Sequence, residues 1–169
     1  RKLIFRDTDG KFFEDNGQRA IFFARGVLET VKKLRWAPDV IHCQGWISNL
    51  IPLFLKKVYS ADPIFAGSKV VTSLFNEIAD ETFDPSFKDS VLFGGIGSGD
   101  VDLSGTVTGT DIAKLAARYS DGIIFGGSDI SPEIVDFCKG LDVPSLDFDE
   151  ESMENGSYVR VYDEFYQQL

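Results

Sequence analysis

The most regular stretch of the chain runs from Gln18 to Arg35. Apolar residues recur there at helical spacing (Ile21, Ala24, Leu28, Val31 and Leu34), while Arg25, Lys32, Lys33 and Arg35 fall mostly off that stripe. This period predicts an amphipathic helix buried along one side, and Pro38 closes the helical region. Val40 to Cys43 is a continuous apolar run and predicts a short buried strand. Trp46 to Val58 predicts the next helix, carrying Leu50, Leu53, Phe54 and Lys57. Lys69 to Phe75, rich in β-branched residues, predicts a strand. Asn76 to Ser90 is polar and irregular, Val91 to Phe93 is a small strand or part of a loop, and Gly94 to Gly109 reads as a long loop. A helix over Asp111 to Tyr119 and a strand over Gly122 to Phe125 follow. Ser131 is an N-cap with Pro132 at the first helical position and Glu133 favourable to the dipole, for a helix that ends at Lys139 before Gly140. Ser145 to Phe148 is a last strand, and Tyr158 to Gln168 a terminal helix with Val161, Phe165 and Leu169 inward. Near the start, Lys2 to Phe5 reads as the end of a strand and Asp7 to Asn16 as turn-rich.

Strands therefore alternate with helices at least three times, and the strands are apolar throughout. That pattern predicts an α/β fold: a three-layer, Rossmann-like domain with a mainly parallel sheet, spanning residues 1–169 as a single domain. In such sheets ligands sit beyond the carboxyl ends of the strands. Gln44 to Trp46, Phe75 to Glu77 and Gly126 to Ser131 are the positions to examine. An upstream segment is expected, since the chain starts at Arg1 rather than Met.

Composition narrows the chemistry. The chain has 169 residues, 43% hydrophobic and 26% charged, with a formal charge of -10. An acidic surface disfavours nucleic acid, and no apolar run approaches the roughly 20 residues of a membrane span. Cys43 and Cys138 each sit in an apolar element without metal spacing, and read as reduced core residues of a cytoplasmic protein. His42 is the single histidine, which removes most metal-site and Ser-His-Asp arrangements.

Asp39-Val-Ile-His-Cys-Gln-Gly-Trp46, leading into Leu50-Ile-Pro-Leu-Phe-Leu-Lys-Lys57, resembles a signature of the glycogen (starch) synthases, glycosyltransferase family five. There a strand ends in His-x-His-(Asp/Gly)-Trp and the next helix carries Leu-x-Pro. Phe22-Phe23-Ala-Arg-Gly-Val-Leu-Glu-Thr30 is similar to that family's helix before the strand. Lys69-Val-Val-Thr-Ser-Leu-Phe-Asn76 is similar to its Val-Val-(Tyr/Phe)-Thr-Ile-His-Asn strand. Tyr119-Ser-Asp121 and Ser131-Pro-Glu-Ile134 resemble its Tyr-(Ala/Ser)-Asp and Ser-Pro-x-Tyr-x-x-Glu-Ile, and Tyr162-Asp-Glu-Phe-Tyr166 the ending of short Bacteroidetes-type members. The resemblance implies half of a GT-B fold, the later part of its N-terminal domain. It also implies transfer of glucose from a sugar nucleotide, ADP-glucose, to an α-1,4-glucan with retention. The partners it implies are an α-glucan and a sugar nucleotide, with no further cofactor.

Departures from the pattern bear on activity. Gln44 stands where the family has the second histidine of His-x-His, and Phe75 where it has the histidine of Ile-His-Asn; these are the sugar contacts the family leads one to expect. Gln44 can hydrogen-bond a hydroxyl and Phe75 can stack on a sugar face, but neither moves a proton or carries positive charge. The second Rossmann domain and the Lys-x-Gly-Gly donor loop are absent from these residues, so the chain alone is expected to be inactive. Gln44, Gly45, Trp46 and Asn76 are the candidate substrate contacts. Trp46 reads equally as a core aromatic at a helix start, and Asn76 equally as a cap. His42, Phe75 and Glu133 are weaker candidates, His42 reading as a buried, hydrogen-bonded histidine and Glu133 as a helix-dipole residue. A non-catalytic module that binds glucan or a protein partner is the alternative class, and the open edge of a truncated sheet suggests a homodimer.

Two other patterns compete. Leu3-Ile-Phe-Arg-Asp-Thr-Asp-Gly10 resembles the first motif of haloacid-dehalogenase phosphatases, with Asp7 as nucleophile and Asp9 as acid/base beside magnesium; the simpler reading is a turn at Asp9-Gly10. Asp100 to Asp111 fits calcium-loop spacing, with Asp100, Asp102, Ser104, Thr106 and Asp111 as candidate ligands, glycine at the sixth position and an apolar residue at the eighth. Against it, Asp rather than Glu stands at the twelfth position. A solvent loop capping the next helix accounts for the same residues.

Overall fold

The computed structural model describes residues 4–169. In chain order the elements are α1 (Asn16–Leu34), β1 (Val40–Gln44), α2 (Ile51–Lys57), β2 (Lys69–Leu74), α3 (Phe87–Val91), α4 (Ser98–Val101), α5 (Gly109–Arg118), β3 (Gly122–Phe125), α6 (Pro132–Lys139), β4 (Ser145–Leu146), α7 (Glu150–Asn155) and α8 (Tyr158–Tyr166). The strands form one sheet in the order β1-β2-β3-β4, every pair parallel. The predicted α/β class, the parallel sheet and the layering are all present.

A sheet that grows in one direction through right-handed crossovers places its connecting helices on one face. Leu74, Ile123 and Phe125 accordingly pack with Ala113, Ala117, Ile134 and Cys138 of α5 and α6, and Val70 with Leu50, Leu53 and Phe54 of the α2 region. On the opposite face Val71 and Ile124 meet Phe165 of α8, flanked by Tyr162, Tyr166 and Leu169. Strand β2 is thus covered on both sides, and each fully buried Leu or Phe in these clusters contributes roughly 1.5–3 kcal/mol of transfer free energy. Helix α1 lies outside the sheet, packing Ala20, Ile21, Ala24 and Leu28 against the same large cluster.

The elements depart from expectation where local chemistry overrides periodicity. The predicted helix from Trp46 is split: Trp46–Ser48 is a 3-10 turn, and α2 restarts at Ile51 with Pro52 in its first turn, where the missing proline N–H costs nothing. The possible strand over Val91 to Phe93 does not form, since Val91 ends α3. The loop from Gly94 contains α4. Leu34, assigned to the buried stripe, is 68% exposed, because Arg35 takes a left-handed conformation that turns the chain away from the core. The last strand keeps only Ser145–Leu146, and α7 appears where no apolar period announces it, capped by Asp149. The strand end expected at Lys2 to Phe5 lies largely outside the described residues; the first pairing seen is an antiparallel bridge between Arg6 and Phe12.

One close approach fixes the long connection between β2 and β3. Gly109 N–H donates to the Glu81 carbonyl at 2.9 Å, and a Cβ at Gly109 would lie 1.8 Å from the Ile78 carbonyl oxygen. Backbone against backbone cannot yield as a flexible side chain does. Gly109→Ala is expected to lower unfolding free energy by about 2–3 kcal/mol in urea titration; an unchanged midpoint would show the approach to be slack.

Candidate functional site

Alternate residues of a strand share a face, so β1 delivers His42 and Gln44 to the side covered by α8. His42 Nε2 lies 2.7 Å from Ser73 Oγ, and its Nδ1 lies 2.7 Å from Tyr166 Oη. Gln44 Nε2 also approaches Nδ1, at 3.4 Å. Two donors converging on one ring nitrogen are satisfied by a neutral imidazole: Tyr166 and Gln44 donate to Nδ1, and the Nε2 proton goes to Ser73. The rings of Tyr162 and Tyr166 meet the imidazole edge-on at 5.7 Å. Burial holds the His42 pKa below its ordinary value and raises those of Tyr162 and Tyr166, since the charged form of each loses its water. The half-buried imidazole is a hub between sheet and helix, with both ring nitrogens engaged.

Beyond His42 the chain turns. Gly45 has φ 75° and ψ 149°, a conformation essentially confined to glycine. It opens the Trp46–Ser48 turn, and Ser48 Oγ donates back to the carbonyls of Gln44 and Gly45. The Trp46 N–H donates to Glu77 Oε2 at 3.0 Å. The Trp46 ring, by contrast, is only 4% exposed and packs with Phe5, Phe12 and Phe83. It belongs to the core, and only its backbone reaches the crevice. Phe75 is 37% exposed and its ring crosses Gly126, where a Cβ would fall 2.3 Å from it. Asn76 is exposed. The carboxyl edge of the sheet therefore presents Gln44 on β1, then Phe75, Asn76 and Glu77 after β2, then Gly126 after β3. Glu77 is the residue of this row to which the sequence assigned no role. Its position in the Phe75–Glu77 segment was the only signal, because its partner lies 31 residues away.

The remaining candidates have other partners. Glu133 pairs with Lys114 Nζ at 2.5 Å and ties the first turn of α6 to α5. The carboxylates of the possible calcium loop face three directions. Asp100 accepts from Lys57 at 2.6 Å, which together with the Gly97 N–H holds its pKa below the usual range. Asp102 faces Arg118, and Asp111 caps α5 through Thr108; Ser104 and Thr106 are exposed. Among the described residues no group of three metal-ligating side chains comes together. Asp7 accepts from the backbone of Asp9 and Lys11, which is a turn. Burial pushes the thiols of Cys43 and Cys138 up to about 12 and about 11, so neither is a nucleophile near neutral pH.

A feature the periodicity did not foresee lies on the outer side of α1. Phe22, Phe23, Leu34 and Trp36 are exposed and, with Val31 and Ile47, line an open apolar groove of about 960 Å³.

The sequence model of the family described as "Starch synthase catalytic domain" matches residues 1–142. Among curated proteins, the chain is 37% identical over 127 residues to the glycogen synthase of Clostridium perfringens, covering 71% of this chain and 25% of that one. It is 33% identical over 139 residues to the glycogen synthase of Chlorobium limicola, covering 76% and 28%. A shorter stretch of 77 residues is 46% identical to the glycogen synthase of Chlorobium luteolum. The chain spans about a quarter of the length of the first two relatives.

The His42 hub makes stability depend on pH. The folded pKa lies below the unfolded value of about 6.5, so the unfolded chain binds the proton more readily. The stabilisation from neutral His42 is fully present above about pH 6.5 and is lost as pH falls toward the folded pKa. Asp62, Asp84 and Asp100, whose pKa values are lowered, lose their contribution only below about pH 4. Denaturation at pH 7.5 and pH 5.0 is expected to show a loss of stability that His42→Gln abolishes; an equal loss in the variant would remove His42 as its cause.

Proposed function

The chain belongs to the starch synthase catalytic domain family, and on that premise we propose that it forms the glucan-facing part of a two-domain cleft where glucose passes from a sugar nucleotide to an α-1,4-glucan. Residues 1–169 then form one domain, the later part of the N-terminal half, working in the cytoplasm. The observation that carries this reading is the carboxyl edge of the sheet. Gln44, Asn76 and Glu77 offer amide and carboxylate groups to hydroxyls, and the exposed part of the Phe75 ring offers a surface to a sugar face. No helix among the described residues is long and apolar enough to cross a membrane.

These residues by themselves transfer no glucose. Glucosyl transfer needs a group to move the acceptor proton and positive charge or donors to hold the leaving phosphate. The one histidine has both ring nitrogens committed, both thiols stay protonated, Gln44 and Phe75 are neutral, and the Glu77 carboxylate supplies no positive charge for the leaving phosphate. Incubating the 169-residue chain with radiolabelled ADP-glucose and glycogen is expected to leave the label unincorporated, while maltoheptaose shifts its NMR resonances at millimolar concentration. Incorporation above the blank refutes the inactivity.

Association with a second copy is a further reading, favoured by the edge of β1, which has no strand neighbour among the described residues, and by the apolar outer face of α1. Sedimentation equilibrium is expected to give a dimer that Phe22→Ser with Leu34→Ser converts to monomer; a wild-type monomer at every concentration rules the homodimer out.

A further inference from the structure

We propose that Glu77 bars phosphate from the crevice at the carboxyl ends of β1 and β2, and so leaves that crevice to uncharged polyhydroxy ligands. The proposal rests on the glucan reading for the identity of the ligand, but not for the exclusion itself. A glycine-opened turn after a parallel strand is where backbone N–H groups ordinarily meet phosphate. Here Gly45 opens such a turn, and the backbone donor that follows it, the Trp46 N–H, is already bonded to Glu77 Oε2 at 3.0 Å. The carboxylate lies over the turn, its two oxygens 3.6 Å and 4.0 Å from the point where a Cβ on Gly45 would stand. Glu77 carries no ion pair among the described residues, so its charge is not neutralised by a neighbour.

The groups beside it, Gln44, Phe75 and Asn76, are all uncharged. A phosphate arriving here would meet the like charge of Glu77, inside the field of a chain of net charge -10. A hydroxyl meets the opposite situation. It donates to the carboxylate lone pairs that Trp46 leaves free, in a charge-assisted hydrogen bond. One side chain thereby closes the turn to the phosphates of a sugar nucleotide and equips it for a glucan hydroxyl.

The test compares the wild-type chain with Glu77→Gln, which keeps the acceptor for Trp46 and removes the charge, and with Glu77→Asp, which keeps the charge. Each is titrated with inorganic phosphate, ADP-glucose and maltoheptaose while the backbone amides of Gly45, Trp46 and Ile47 are followed by NMR. Removing one unit charge about 4 Å away at a water-exposed site is expected to tighten phosphate and ADP-glucose binding about fivefold in Glu77→Gln, with Glu77→Asp resembling the wild type. Maltoheptaose is expected to shift the same amides in the wild type and to bind Glu77→Gln more weakly. Equal phosphate affinity in wild type and Glu77→Gln, or no phosphate binding to either, overturns the exclusion. Absence of any maltoheptaose response sinks the glucan reading instead, and the phosphate comparison still decides the role of Glu77.

Discussion

Burying β2 on both faces obliges two hydroxyls to find partners inside the protein. Val70 through Leu74 are all buried, yet the strand carries Thr72 and Ser73. A buried hydroxyl without a partner costs on the order of 1–3 kcal/mol, and the pleat sends these two to opposite faces. Thr72 Oγ1 pairs with Ser120 Oγ at 2.7 Å, and Ser120 in turn donates to the Ala116 carbonyl, which ties the strand to the end of α5. Ser73 accepts from His42, which accepts from Tyr166, and this ties the strand to α8. The two helical layers are thus keyed to the same strand by adjacent residues. A third link, Asp121, gathers Lys56 and the Val70 N–H at the amino edge and sets where β3 starts beside β2.

That requirement decides what His42 can do. A histidine at the end of a strand near a crevice invites an acid–base role. Here its nitrogens are consumed in holding α8, and burial keeps it neutral. Chemistry is left to side chains whose polar atoms the fold does not need: Gln44 in part, Asn76, and the free face of Glu77. Amide and carboxylate groups of this kind can hydrogen-bond hydroxyls.

Much of the fold was legible because the local and the global signals agree. Gly122 to Phe125 is a short apolar run between turns and became a strand covered on both sides. Ser131, Pro132 and Gly140 framed α6, and the Ser131 hydroxyl accepts from the Ile134 N–H as a cap should. Legibility failed where the deciding partner is remote or the helix lacks an apolar stripe. Helix α7 holds one buried side chain, Ser152, and forms through its Asp149 cap, so period counting passes over it. The calcium spacing of Asp100 to Asp111 was a true pattern of residue types, but Lys57, remote in sequence, and Arg118, at the end of the following helix, claim two of its carboxylates. Gln44 and Asn76 could be placed at the carboxyl edge from strand assignment alone. That Tyr166 would cross 124 residues to reach His42, or that Glu77 would cap Trp46, depends on tertiary packing that no window of sequence contains.

The same packing explains the apolar surface on the outer side of α1. Helix α1 is amphipathic in the expected sense, but Phe22, Phe23, Val27 and Leu34 extend its apolar character around to a second side. The first stripe is satisfied by α2 and the aromatic group around Trp46. The second faces outward with Trp36, beside a strand whose outer edge has no neighbour among the described residues. A helix apolar on two sides is stable in water only when both are covered, and an unpaired parallel strand carries free N–H and C=O groups along its length. Ile47 lies in the groove just after β1, and Trp36 lies there just before it, so the two deficits run side by side. Polypeptide that pairs with β1 would at once reach the α1 groove. The sheet edge and the helix face are therefore better understood as one surface than as two.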